Sequence, residues 1–394
     1  MKIRIVKQDN FGSGIGYDEF SKIIFVPKTV IDDEVEVNII KENKKYNQGE
    51  VVEIIRPSIK RVGSKCEFFD KCGGCHLRMV RYEDTLLYKQ DKVKDILYRG
   101  LGYSQAVRII PSSDQYRNKI SLKIVNGEIG YYEAETNILV GIDTCLNAKE
   151  SINNFITHLP KLNIQNGIIT IRSNYNDELL LHIESDDELV LKNLTKYKVV
   201  GVKHNDKLVF GEDHFMELIN GIFYNVSIDS FFQINNEINA KLQETIKDHI
   251  NDNDQILDLY CGVGSLSIPL ASKASKIYGV DSDPSNIKDA LLNQKINRLE
   301  NTFYLLNDAA KAIKEIKEKF NVLIVDPPRS GLTVDGIKNI KEVDPEKIFY
   351  VSCDPNTLVR DLKEFSQYQI QDVIIFDMFP YTYHVETLVL LIKK

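Results

Sequence analysis

At 394 residues the chain is long enough for two or three domains, and a composition 43% hydrophobic and 27% charged is that of a globular protein rather than a disordered one. A formal net charge of -7 argues against a partner held by bulk electrostatic attraction alone. There is no secretory leader pattern, no lipidation motif and no apolar run of roughly eighteen residues, so the expectation is a cytoplasmic protein with no membrane partner.

Residues 1–58 read as short strands. Gly12, Gly14 and Gly16 punctuate the first turn, Lys22 to Val26 ends at Pro27, Glu34 to Ile40 alternates apolar and polar positions, and Gln48 to Ile55 closes at Pro57. A piece so small, rich in strands and glycine turns, suits a little OB-like β-barrel, a shape that often binds nucleic acid. Between Arg56 and Arg99 the chain carries eleven Lys/Arg against six Asp/Glu. That collar is either a solvated face or a grip on a phosphate backbone.

Cys66, Cys72 and Cys75 follow, with Gly73 and Gly74 between the last two, and Cys145 comes seventy residues after Cys75. A cytosolic chain keeps thiols reduced, so these four are candidate metal ligands rather than disulfide partners. Zinc and a [4Fe–4S] cluster are both compatible with four thiolates, and the long gap is unlike the paired hooks of common zinc modules. A helix is expected from Tyr82 to Arg99. Residues 106–228 then alternate strands with turns, including the Asn126-Gly127 hairpin signal, and form an antiparallel block. Arg117, Asn118 and Lys119, at a strand entrance, either touch a substrate backbone or form a solvated edge.

From Phe231 onward the pattern changes to strands alternating with helices, which means βαβ units and a mostly parallel sheet. Strands are expected at Gln255–Tyr260, Lys276–Val280, Thr302–Leu306, Phe320–Val325, Lys347–Val351, Asp372–Phe376 and Val385–Ile392. The turn Cys261-Gly262-Val263-Gly264-Ser265 lacks the spacing of a dinucleotide fingerprint or a phosphate loop. Asp281 closes the next strand, where a carboxylate faces the ribose of a nucleoside bound over the first turn. Asp308 follows the third strand and can bond an adenine amino group, and Asp326 opens DPPRSG after the fourth. A nucleoside cofactor without a pyrophosphate fits, and S-adenosylmethionine is the natural member of that class. Cys261, in a tight turn, reads as packing.

The substrate end narrows the chemistry. Arg329 stands where an adenine-N6 enzyme needs an aromatic wall, and the cysteine that RNA cytosine-C5 enzymes keep after the proline is missing. Cys353 lies at the carboxyl end of a strand, and Glu386 lies in FPYTYHVE. A thiol and a carboxylate suit a pyrimidine carbon: the thiolate adds at C6, C5 becomes nucleophilic, and the carboxylate removes the C5 proton. His384 either orients a phosphate or the glutamate, or is an ordinary histidine. Asn356 is the expected cap of the helix after Cys353.

On Phe232-Gln233-Ile234-Asn235, DLYCGVG, DPPRSG, SCDPNTLVRD and FPYTYHVE the chain resembles the RNA uracil-C5 methyltransferases, most closely their 23S ribosomal RNA branch. The resemblance covers essentially the whole length. It implies a multidomain protein: a TRAM-like RNA-binding barrel at 1–58, a central α+β domain with the cysteine cluster at 59–230, and a C-terminal α/β Rossmann-like methyltransferase domain at 231–394. It implies a [4Fe–4S] cluster on Cys66, Cys72, Cys75 and Cys145. Gln233, Tyr260, Asp281 and Asp326, with Gly262 and Asp308 from the turn pattern, are the expected contacts of S-adenosylmethionine, which leaves as S-adenosylhomocysteine. Cys353 is the expected nucleophile and Glu386 the expected base; Asp281 departs from the glutamate of many relatives. The partner implied is 23S rRNA, its target uridine in a loop or flipped out, met by a monomer with no obligate protein partner. The tRNA-modifying bacterial relatives usually lack the barrel and the four cysteines, which favours ribosomal RNA over tRNA. A non-catalytic RNA-binding or chaperone role would require loss of the motif residues, all of which are intact.

Overall fold

The computed structural model describes residues 1–158 and 162–394, which divide into two compact units, each discontinuous in sequence. The first comprises Met1–Lys92, Ile129–Ile142 and Phe379–His384; the second comprises Val93–Glu128, Asp143–Met378 and Val385–Lys394.

The first unit is built on a six-stranded sheet in the order Lys2–Arg4, Glu34–Glu42, Tyr46–Arg56, Ile23–Val26, Gly14–Tyr17, Lys7–Gln8. Its two edge strands are joined by only Ile5 and Val6, so the edges must lie close and the sheet rolls into the expected barrel-like form. Alternation fills the roll: Ile3, Ile5, Ile24, Val26, Val35 and Val37 form its core. Buried Asp33 accepts hydrogen bonds from the amides of Val30 (2.7 Å) and Ser58 (2.8 Å) and pairs with Arg61 at 2.6 Å, fastening the exit segment to the roll. The cysteine loop packs on Phe69, Leu77, Met79 and Val80, with Cys66 and Cys75 against that cluster.

In the second unit an eight-stranded sheet runs Thr302–Leu306, Lys276–Asp281, Gln255–Leu259, Val322–Val325, Lys347–Ser352, Glu386–Lys393, Tyr368–Phe376, Arg108–Ile110. The first five are mutually parallel, Glu386–Lys393 is antiparallel to both its neighbours, and Arg108–Ile110 adds a parallel strand at the far edge. That last strand is too short and too polar at Arg108 for its alternation to announce it. Strand order reverses at Gln255–Leu259, which opens a crevice at its carboxyl end, the usual ligand position in such sheets. The central strands are buried on both faces, from Val322–Val325 through Ile348–Val351. A further antiparallel set, Lys119–Val125, Asn166–Ser173 and Leu179–Glu184, precedes it, with Val199–His204 joining in parallel. The expected helix after Ser265 is only a 3₁₀ turn, Ile268–Ser272, with Pro269 at its start. Among the described residues no helix is long and apolar enough to cross a membrane.

Candidate active site

The strand Gln255–Leu259 ends in a backbone reversal: Tyr260 has φ +65, Gly262 φ +56 and Gly264 φ +84. A left-handed tyrosine is a strained conformation of the kind that collects at functional sites. Gly264 is required by space as well, because a Cβ there would meet the Tyr304 hydroxyl at 2.7 Å. Cys261 turns inward against Gly279, buried with its thiol pushed well up by desolvation, so it is a packing residue.

The turn is tied to the second strand through Asp281. One carboxylate oxygen accepts the Gly262 amide at 2.9 Å; the other accepts the Asp283 amide at 2.8 Å and the Asn286 side-chain amide at 3.3 Å. Three of about four lone-pair positions are thus taken, leaving room for one further donor such as a ribose hydroxyl. Asp308 caps the helix Ala309–Glu315 by accepting the Lys311 amide at 3.1 Å, and its charge helps burial to raise the Tyr260 hydroxyl pKa. Gln233 is buried at 8% exposure on the segment entering the helix Asn236–Lys247. Asn118 holds that segment: its side-chain amide donates to the Gln233 carbonyl (3.0 Å) and to Asn236 Oδ1 (2.7 Å). Asn118 is therefore neither a substrate contact nor a solvated edge residue. Its neighbour Lys119 is pushed down to about 8 by burial, with the Arg172 charge adding. The donor set present, a carboxylate at the turn, a second beyond the third strand and a buried amide, fits a nucleoside with a cationic tail.

The second half of the site comes from strand register. The ladder between Lys347–Ser352 and Glu386–Lys393 ends with Ser352 opposite Thr387, so Cys353 follows one strand where Glu386 opens the other, and the Glu386 charge acts on the Cys353 thiol. Burial pushes the Cys353 thiol up to about 12, the Glu386 and Asp326 charges add to this, and Arg329 opposes it. Glu386, only 5% exposed, is held well above the usual carboxylate range by burial and by Asp326, and desolvation raises Asp326 too. Two carboxyls and a thiol thus compete for ionisation in one place, an arrangement suited to moving protons near neutral pH.

The segment after Cys353 is capped by Asp354, which accepts the amides of Asn356 (2.8 Å) and Thr357 (3.3 Å), rather than by Asn356. Pro355 decides this, since proline is favoured at the first helical position and the residue before it becomes the cap. From the same helix, Pro355–Leu362, fully buried Asp361 accepts the Tyr350 hydroxyl (2.6 Å) and the Leu332 amide (2.7 Å). Arg360 donates to the carbonyls of Ser330 (2.9 Å) and Leu332 (3.2 Å). The loop after Asp326 is therefore clamped to the helix after Cys353. Asp361 escaped the sequence reading, although a carboxylate beside Leu358 and Leu362 on an apolar helix face was a visible signal. His384 belongs to the first unit, where its ring lies against Tyr383 and Phe379.

The four cysteines are divided between the two units. Cys66, Cys72 and Cys75 belong to the first unit and Cys145 to the second, where its amide donates to Asn153 Oδ1 at 2.8 Å. Among the described residues no group of three or more His, Cys, Asp or Glu side chains is arranged to hold a metal ion.

Residues 81–394 match the tRNA (Uracil-5-)-methyltransferase family, and residues 1–52 match the TRAM domain. The chain is 32% identical to an "Uncharacterized RNA methyltransferase" of Aquifex aeolicus, covering 97% of this chain and 96% of that protein. It is also 32% identical to one from Clostridium tetani, covering 96% and 93%. The crystal structure of Pyrococcus abyssi tRNA (uracil-54, C5)-methyltransferase, in complex with S-adenosyl-L-homocysteine, superimposes with a TM-score of 0.83, 26% identity and 100% of both chains covered. The expected placement in a 23S rRNA branch is overturned. It rested on the barrel and the four cysteines as features that the tRNA-modifying bacterial relatives usually lack, and a tRNA (uracil-54, C5)-methyltransferase matches this chain along its entire length. The chain belongs to the tRNA (Uracil-5-)-methyltransferase family and carries a TRAM domain at its N-terminus.

Proposed function

We propose that the protein methylates C5 of a uracil in tRNA, using S-adenosylmethionine as donor, with Cys353 as nucleophile and Glu386 as base. The observation that carries this reading is the strand pairing that ends in Ser352 opposite Thr387 and so brings Cys353 and Glu386 to the same edge of the sheet, within reach of each other's charge and of Asp326. Full-length similarity to a tRNA (uracil-54, C5)-methyltransferase supports tRNA as the substrate class.

Uracil C5 is too weak a nucleophile to be methylated directly. Addition of the Cys353 thiolate to C6 breaks the C5–C6 double bond and leaves its electron pair on C5 and O4. S-adenosylmethionine, when bound, supplies the electrophilic methyl group that C5 takes up. Gln233, Tyr260, Gly262, Asp281, Asp308 and Asp326 are the residues that hold it. The Glu386 carboxylate then accepts the C5 proton, the double bond re-forms, and the Cys353 thiolate leaves. Attack perpendicular to the ring requires the base to be out of any helical stack, in a loop or flipped, and the TRAM domain offers a further RNA-binding surface.

Transfer of a labelled methyl group to unmodified tRNA tests the reading. Cys353→Ser abolishes turnover, whereas Glu386→Gln stalls a protein–RNA adduct that survives a denaturing gel. Wild-type rates from Cys353→Ser sink the mechanism, and no incorporation into any tRNA sinks the substrate class. The iron–sulfur cluster rests on sequence resemblance and on the Gly74 amide directed at Cys72 Sγ (3.3 Å), and no step above passes through it. Iron and acid-labile sulfide in anaerobically purified protein decide it: their absence removes the proposal.

A further inference from the structure

The helix Pro284–Ile296 buries three polar side chains. Its buried face carries Asn286, Asp289 and Asn293 beside the core residues Ile287 and Ala290, while Leu291, Leu292 and Ile296 are more than a third exposed. A buried polar face is retained only when its groups are bonded, and here each makes bonds to the walls of the cofactor crevice. Asn293 donates to the Val263 carbonyl of the glycine turn (3.1 Å) and both accepts from and donates to the backbone of Asn225. Asp289 accepts the Ser227 amide (2.8 Å), the hydroxyls of Ser227 (2.6 Å) and Ser230 (2.5 Å), and the Asn225 side chain (2.7 Å). Arg172 donates to the carbonyls of Ser227 and Ser230, clasping the same segment from its other side.

Asn286 completes the pattern at the site itself. Its side-chain oxygen accepts the Phe231 amide at 2.9 Å, two residues before Gln233. Its nitrogen donates to Asp281 at 3.3 Å. We propose that Asn286 is the positioning residue that couples the Gln233 segment to the Asp281 carboxylate, so that the two sides of the cofactor crevice are set as one piece. The proposal rests on the reading of that crevice as the S-adenosylmethionine site. Asn286 need not touch the cofactor; it acts through the two groups it joins.

An amide is the side chain of this size that both accepts from Phe231 and donates to Asp281. Asn286→Asp is therefore the informative change, because it keeps the shape and the Phe231 bond but sets a second carboxylate against Asp281. Asn286→Ala removes both bonds without adding charge. If the residue only supported packing, the isosteric Asn286→Asp would be the milder variant. If it positions Asp281, the order inverts. Calorimetric titration with S-adenosylmethionine is expected to show Kd raised by about tenfold or more in Asn286→Asp, some 1.4 kcal/mol, and by a smaller factor in Asn286→Ala. At saturating cofactor kcat stays within about threefold of wild type, because the loss is of binding shared by ground and transition states. Should Asn286→Asp fail to fold, Asn286→Ser carries the test, with a rise in Kd and little change in kcat expected. Variants within twofold of wild type in Kd, or a higher Kd in Asn286→Ala than in Asn286→Asp, overturn the proposal. A wild-type protein that does not bind S-adenosylmethionine refutes the site reading instead.

Discussion

Asp258 gives a measurable handle on the floor of the site. It lies on the Gln255–Leu259 strand, has no exposed surface, and burial pushes its carboxyl up to about 8, with the Asp326 and Asp281 charges adding and Ser267 opposing. The folded protein therefore keeps a proton there that the unfolded chain, with an ordinary value of 3.8, gives up. Its contribution to stability is fully present below about pH 4 and is lost as pH rises through about 8, since the native state binds more protons than the unfolded state across that window. The slope is about 1.4 kcal/mol per pH unit at most, and about 5 kcal/mol over the whole window. Asp258→Asn has nearly the same shape and no proton to lose. Melting temperatures of the two proteins are expected to be close near pH 5 and to diverge in favour of the variant toward pH 8, by roughly 2 °C for each kcal/mol. Other titrating groups are common to both proteins, so the difference isolates this carboxyl. A gap that stays constant from about pH 5 to about pH 8 would falsify the assignment, since it would mean that Asp258 is ionised throughout.

Three further outcomes are expected. S-adenosylmethionine should bind more tightly as pH rises from about 6 to about 8, by up to about tenfold per pH unit, because its positive charge favours ionised Asp326 and Glu386, whose values are raised in the free protein. Calorimetry in buffers of different ionisation enthalpy reads the protons released, and none released refutes it. Asp361→Ala should cost about 2–4 kcal/mol, since it leaves the buried Tyr350 hydroxyl and Leu332 amide without their acceptor; denaturant melts showing less than about 1 kcal/mol would contradict the clamp. Gly331→Ala should lower kcat with little change in circular dichroism. Gly331 has φ +75 and an added Cβ would lie 2.5 Å from both Arg360 and Asp361, so the loop after Asp326 must move. Unchanged kcat would show that this loop does not set the site.

The alternation of strands and helices after Phe231 was legible because a period is a local property. So was Cys353, which an apolar run delivers to the carboxyl end of its strand. What could not be read were partners far apart in the chain. Asn286 and Phe231 are separated by 55 residues, and Asp361 and Leu332 by 29, and no periodicity marks which distant amide a buried side chain will meet. Asn118 illustrates the difficulty: a polar residue before a strand reads as exposed, whereas it is 3% exposed because the Gln233 carbonyl and Asn236 lie over it. Asp354 and Asn356 were both good caps, and only the preference of Pro355 for the first helical turn separates them. In the helix Pro284–Ile296, Asn286, Asp289 and Asn293 lie inside beside Ile287 and Ala290 because the Phe231 and Ser227 amides and the Val263 carbonyl meet them there.

The register at Cys353 also explains why the sheet ends as it does. In a wholly parallel sheet every strand presents its carboxyl end to the ligand edge, and a residue that begins a strand lies at the opposite edge. Glu386 begins its strand and still reaches the Cys353 edge because Glu386–Lys393 runs antiparallel to both neighbours. The reversal brings the proposed nucleophile, which follows one strand, to the same edge as the proposed base, which opens the next. The side-chain period is two, so a slip of one residue would turn Glu386 to the other side of the sheet. The register is held against such a slip by six ladder pairs from Lys347–Ile392 to Ser352–Thr387, whose Ile348, Phe349, Tyr350, Leu388, Val389 and Leu391 side chains are buried. The apolar tail of the chain is thus part of the catalytic geometry, although none of its residues beyond Glu386 takes part in the proposed chemistry.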